Sequence, residues 1–158
     1  MYIGYMGDIV FAVSVDYMIT PTNYERESEA RWAEHGLLLR KPVSQFGGPG
    51  LEKLSFDIIL DADHGISPAK QLKQLRKMRD TGAVFPLVIG GTPVTQNYWR
   101  LDSIKEGNCY WTPDGQIQQC IASLSLTEYE EGNHTEENAI VLSYGDNNGA
   151  ESPVMGGN

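Results

Sequence analysis

The sequence has no apolar run approaching the roughly 20 residues that a membrane-spanning helix requires. Its opening stretch, Met1 to Val15, lacks both a basic leader region and a small-residue cleavage site. The expectation is therefore a protein that stays in the cytoplasm where it is made, with no direct membrane insertion. Cysteine is nearly absent: only Cys109 and Cys120 occur. Two thiols at that spacing do not make a zinc site. They flank the turn Thr112-Pro113-Asp114-Gly115, so a hairpin would set them nearly opposite each other. A reducing compartment makes two free thiols the expectation.

Basic residues are missing from one end. From Glu128 onward there are seven acids and no Lys or Arg, which leaves 14 acids against 12 bases in residues 1–127. The net charge of −9 is thus concentrated in the C-terminal segment. An acidic chain repels phosphates, which argues against specific nucleic-acid binding. The segment reads as a solubilising extension, or alternatively as an arm that docks on a basic neighbour.

Catalytic signatures are missing too. His35, His64 and His134 are scattered, none at ligand spacing to another. Asp61-x-Asp63-His64 resembles part of an acidic metal loop, but it lacks the later glycine and glutamate of a calcium site. It reads more simply as a polar turn. Ser14, Ser44 and Ser55 stand in no nucleophile elbow. Gly47-Gly48 and Gly90-Gly91 have no phosphate-loop lysine. Carboxylates between Tyr24 and Glu34 alternate with Arg26 and Arg31, as local ion pairs would. No catalytic residue, cofactor or metal is expected, and the chain does not read as an enzyme.

What the sequence does contain is mostly β pattern. Ile9 to Val15 is a short apolar run suited to a buried strand. Tyr24 to His35 is charged and poorly alternating, an extended arm or a strand with little core contact. Gly47-Gly48-Pro49-Gly50 is a strong turn signal. Leu54, Phe56, Ile58 and Leu60 alternate with Lys53, Ser55, Asp57 and Asp61, leaving Ile59 as an apolar exception on the polar face. The one convincing helix starts at the cap Ser67 with Pro68 in its first position, and Gly82 lies past its end. Ala69, Leu72, Leu75 and Met78 form its apolar stripe. Lys70, Lys73, Arg76, Lys77 and Arg79 cover the rest, as a solvated face or as a docking face for an acidic neighbour.

Val84 to Ile89, Gln96 to Ile104, Asn108 to Trp111 and Ile117 to Tyr129 read as strands, the last two joined as a hairpin. Ala139 to Tyr144 could add another. The sum is a mainly β protein with one α-helix. Its architecture is a small β-barrel or a two-sheet sandwich with one flanking helix.

Several ordered segments resemble the phage tail protein U family. These are Arg31-Trp32-Ala33-Glu34-His35, Lys41-Pro42-Val43-Ser44-Gln45-Phe46 and Gly48-Pro49-Gly50-Leu51-Glu52. Leu75-Arg76-x-Met78, Gly82-x-x-Phe85-Pro86-Leu87-Val88-x-Gly90 and Leu124-Ser125-Leu126-x-Glu128-Tyr129 follow. The resemblance covers residues 1–130 as one tail protein U-like β domain and leaves 131–158 as an acidic extension. It implies a structural part of a contractile phage tail or tail-like particle, with a tube-protein-like fold. The implied station is at or near the baseplate, connecting tube, hub and sheath initiator. A head-proximal terminator or completion ring is the alternative, and a small β-barrel binding or hydrolytic domain unrelated to phage is another. The implied partners are other copies of the chain, in a hexameric ring, and the tail tube, hub and sheath-initiator proteins.

The family implies no catalytic residues. It marks the stretch from Arg31 to Leu51 as an inter-subunit loop, with an ordinary surface loop as the alternative. The interface residues expected there are Arg31, Trp32, Leu38, Lys41, Pro42, Gln45, Phe46, Gly48 and Gly50. Exposed Trp32, Leu37, Leu38, Leu39 and Phe46 would otherwise be an apolar liability.

Overall fold

The computed structural model describes residues 1–131. The expected strand over Ala139 to Tyr144 and the acidic extension lie outside the described residues. Among the described residues, twelve strands and one α-helix follow one another. The first three strands are β1 (Tyr2–Met6), β2 (Ile9–Val13) and β3 (Met18–Ile19). Next come β4 (Pro21–Glu27), β5 (Ala30–Leu37), β6 (Arg40–Pro49) and β7 (Lys53–Asp61). A short 3-10 turn, Ala62–His64, leads to the helix α1 (Pro68–Asp80). β8 (Val84–Phe85), β9 (Leu87–Ile89), β10 (Thr92–Pro93), β11 (Tyr98–Trp111) and β12 (Ile117–Tyr129) complete the described chain.

The strands form two five-stranded sheets, β10-β9-β1-β2-β3 and β4-β7-β12-β11-β8, and a separate two-stranded ribbon, β5-β6. This is a sandwich with one helix; the barrel alternative is not what forms, because neither sheet closes on itself. Alternation dictates the layering. Leu54, Phe56, Ile58 and Leu60 of β7 pair with Leu126, Leu124, Ala122 and Cys120 of β12, and all are buried. They meet Met6, Ile9, Phe11 and Ile19 of the first sheet in one continuous core. Phe11 and Phe56 make an edge-to-face contact across the layers, with centroids 5.9 Å apart. Leu72, Leu75 and Met78 of α1 join the same cluster, against β7, β11 and β12.

The opposite face of the larger sheet carries Ser55, Asp57, Ile59 and Asp61 beside Ser125, Ser123, Ile121 and Gln119. No described element covers the middle of that face, so it is polar as the alternation requires.

Several local expectations are corrected. Pro68, rather than Ala69, completes the buried stripe of α1, because the position four before Leu72 lies over the core. Ser67 holds the cap position without a side-chain cap bond. Val84 to Ile89 is not one strand: Pro86 has no N–H to give, and the chain changes sheets there. Residues 98–111 form one long strand, whereas the sequence reads as two. Irregular pairing at Asp102 and at Asn108, whose φ is 48°, hides the alternation. The second irregularity sets Cys109 and Cys120 side by side on the β11–β12 hairpin, with Cα atoms 4.1 Å apart, and their sulfurs are bonded. The free-thiol expectation is corrected: it rested on compartment, while the pairing follows from hairpin register.

β1 carries no strand reading in the sequence, since Gly4 interrupts its pattern. Gly4 is there for closeness: a Cβ would stand 1.9 Å from the Val88 carbonyl oxygen on β9.

Candidate assembly interface

β4 and β7 pair antiparallel as far as Glu27 and Lys53. Their pairing continues outward: Gly50 N–H donates to the Glu29 carbonyl at 2.8 Å, and Ala30 then stands opposite Pro49. β5 and β6 are therefore the distal half of one long hairpin whose proximal half belongs to the sheet. At about 3.3 Å per residue, the eight residues of β5 carry it roughly 25 Å from the body.

Among the described residues, no layer packs on the arm. Every residue of β5 is exposed, as are all but one of β6. One face holds Trp32 opposite Phe46 and Glu34 opposite Ser44. The other holds Ala33 opposite Gln45 and His35 opposite Val43, with a 2.9 Å hydrogen bond between His35 Nε2 and Gln45 Oε1. Leu37 pairs with Arg40, so Leu38 and Leu39 form a two-residue turn, 90% and 97% exposed. Leu39 has φ of 58°, a conformation usually given to Gly or Asn.

All nine expected interface residues lie on this arm or at its root: Arg31 and Trp32 on β5, Leu38 in the turn, Lys41, Pro42, Gln45, Phe46 and Gly48 on β6, and Gly50 just beyond it. The expected loop is a β-ribbon, and the Gly47–Gly50 turn signal is corrected. Gly47 and Gly48 lie within β6, and the chain reverses eight residues earlier at Leu38-Leu39. Sequence reasoning missed Val43 as exposed apolar surface, and it counted Leu39 among the exposed apolar side chains without placing it among the nine interface residues. Leu39 ends a run of three consecutive leucines, Leu37-Leu38-Leu39, between Gly36 and Arg40. The expected local ion pairing is also corrected, since Arg26 pairs across the hairpin root with Glu52.

Away from the arm, the geometry is structural. Asp61 caps the 3-10 turn, accepting the Asp63 N–H at 2.9 Å, and His64 Nδ1 lies 3.5 Å from its other oxygen. Among the described residues, no three His, Cys, Asp or Glu side chains gather to hold a metal ion. Arg76 makes a two-pronged contact with Glu106 at 2.8 and 2.7 Å, which ties α1 to β11. Asp57 takes hydrogen bonds from the side chains of Ser123 and Asn23, which hold its carboxyl below the usual aspartate range.

A ribbon of two strands is marginal by itself in water. Here it is anchored by a sheet and displays an aromatic pair, Val43 and a leucine tip to solvent. Such a patch has the composition of an interface core. Comparison with curated proteins finds no match. The model of the family described as Phage P2 GpU matches residues 7–131, which includes the helix, the whole arm and every described strand except β1. The chain thus belongs to the Phage P2 GpU family, a family of phage tail structural proteins.

Proposed function

We propose that the protein is a non-enzymatic connector of a contractile phage tail or tail-like particle. It joins tube, hub and sheath initiator at or near the baseplate, and it works by burying surface, with no turnover. The observation that carries this reading is the arm: about 25 Å of ribbon with apolar side chains on both faces and at its tip, and nothing among the described residues to cover them. Its first partners are other copies of the chain, arranged in a ring; six-fold symmetry is what the family resemblance implies. Residues 131–158 are an acidic extension outside the tail domain.

Electron microscopy of purified particles carrying a labelled version of the protein tests the station. Label at the baseplate end is expected. Label at the head-proximal end overturns the baseplate reading and makes the protein a terminator, and an absence of label on particles overturns the structural role.

A further inference from the structure

The larger sheet has two ends, and they differ. At the Lys53 end of β7 the arm departs. At the Asp61 end, on the open face, a cleft of about 200 Å³ is lined by Met18, Thr20, Thr22, Ile59, Asp61 and His64. Met18 and Ile59 make its apolar wall, and Ile59 is the residue that breaks the polar alternation of β7, opposite Ile121 of β12. Asp61 lines the cleft and Asp63 stands two residues further on; no Lys or Arg lines it.

The arm tip has the complementary character. Leu38 and Leu39 project almost fully into solvent, and Arg40 and Lys41 follow them. Among the described residues, neither cation has an ion-pair partner. Leucine at a φ of 58° is costly for a turn that Gly or Asn would make easily. A strained position that keeps an exposed apolar side chain points to recognition rather than to folding.

We infer that the leucine tip of one copy seats in the Met18–Ile59 cleft of a second copy, with Arg40 and Lys41 facing Asp61 and Asp63. The contact is between copies because the arm extends β4 and β7 away from the cleft. Tip and cleft lie at opposite ends of one continuous hairpin, so a chain cannot fill its own cleft. It is also head-to-tail. A surface that meets a different surface on the next copy propagates, closing into a ring or running on as a filament, and does not stop at a pair. This inference rests on the assembly reading of the arm and names its partner.

The test uses the full chain with Leu39→Cys and Ile59→Cys, both at exposed positions. Mixing the two single variants under mild oxidation is expected to give a crosslinked species containing one of each, while neither alone gives the same product. The double variant is expected to give a ladder of crosslinked multimers. A ladder that stops at the dimer, a crosslink confined within one chain, or no crosslink overturns the inference. A wild-type chain that remains monomeric at millimolar concentration also overturns it. As a second measurement, Leu39→Gly is expected to leave the melting temperature equal or higher, since the turn is relieved. Self-association should fall by about ten-fold or more for the loss of a buried leucine. Unchanged association in Leu39→Gly counts against the tip. If particles exclude a Trp32→Ser/Phe46→Ser variant but no Leu39–Ile59 crosslink forms, the arm remains the assembly element and its tip belongs to another tail protein. If that variant enters particles normally, the assembly reading fails as well.

Discussion

Trp32 and Phe46 face each other across the β5–β6 ribbon with ring centroids 5.1 Å apart, and no described element packs over them. They are 62% and 57% exposed, in a chain that buries Trp99 and Phe56 almost completely. The contrast separates two kinds of aromatic residue. One kind holds the sandwich together, and the other is held out from it.

Replacing the outer pair therefore has a specific expected outcome. Trp32→Ser/Phe46→Ser forfeits a tilted aromatic contact worth about 0.5–1.5 kcal/mol, and little of the core. Chemical denaturation of the isolated chain should shift by no more than that, while incorporation into particles is lost. A chain that no longer folds would place the pair among the residues that hold the body together.

Phe56 should behave in the opposite way. It bridges the two sheets through Phe11 and is almost fully buried, so Phe56→Ala leaves a cavity between the layers. A cost of about 3–5 kcal/mol is expected from comparable substitutions, read as a lower midpoint in urea. A loss below about 1 kcal/mol would mean that the two sheets are not packed as described.

Asp57 gives a pH dependence with a definite sign. Hydrogen bonds from Ser123 and Asn23 lower its folded-state pKa, so its contribution is fully present above the unfolded value of about 4. It is lost as the pH falls through the folded value, below the usual range. Thermal melts between pH 6 and 3, an interval chosen to span about that pKa, should show wild type losing stability faster than Asp57→Asn toward the acid end. Parallel acid limbs would remove Asp57 from the account.

Much of the fold was legible because burial writes a period into the sequence. The alternation from Lys53 to Asp61 specified a strand with one buried face, and β7 has those bounds. Pro68 and the spacing of Leu72, Leu75 and Met78 specified the helix. Legibility failed where the pattern had another cause. In β11, irregular pairing at Asp102 and Asn108 shifts the register, so one strand looks like two. In the arm no face is buried by any described element, so there is no alternation to read, and glycines within β6 imitate a turn.

The sequence by itself determined a mainly β protein with one capped helix, an acidic C-terminal segment, no recognisable catalytic constellation, and a cluster of apolar residues from Trp32 to Phe46 without a core pattern. Those properties follow from local chemistry: side-chain period, capping, charge and turn propensity. Only the tertiary structure decided that the two sheets stay open as a sandwich, that the cluster is a projecting ribbon reversing at Leu38-Leu39, and that Ile59 opens a cleft at the far end of β7. Each depends on which strand lies beside which, a matter of long-range pairing that no local window of sequence contains.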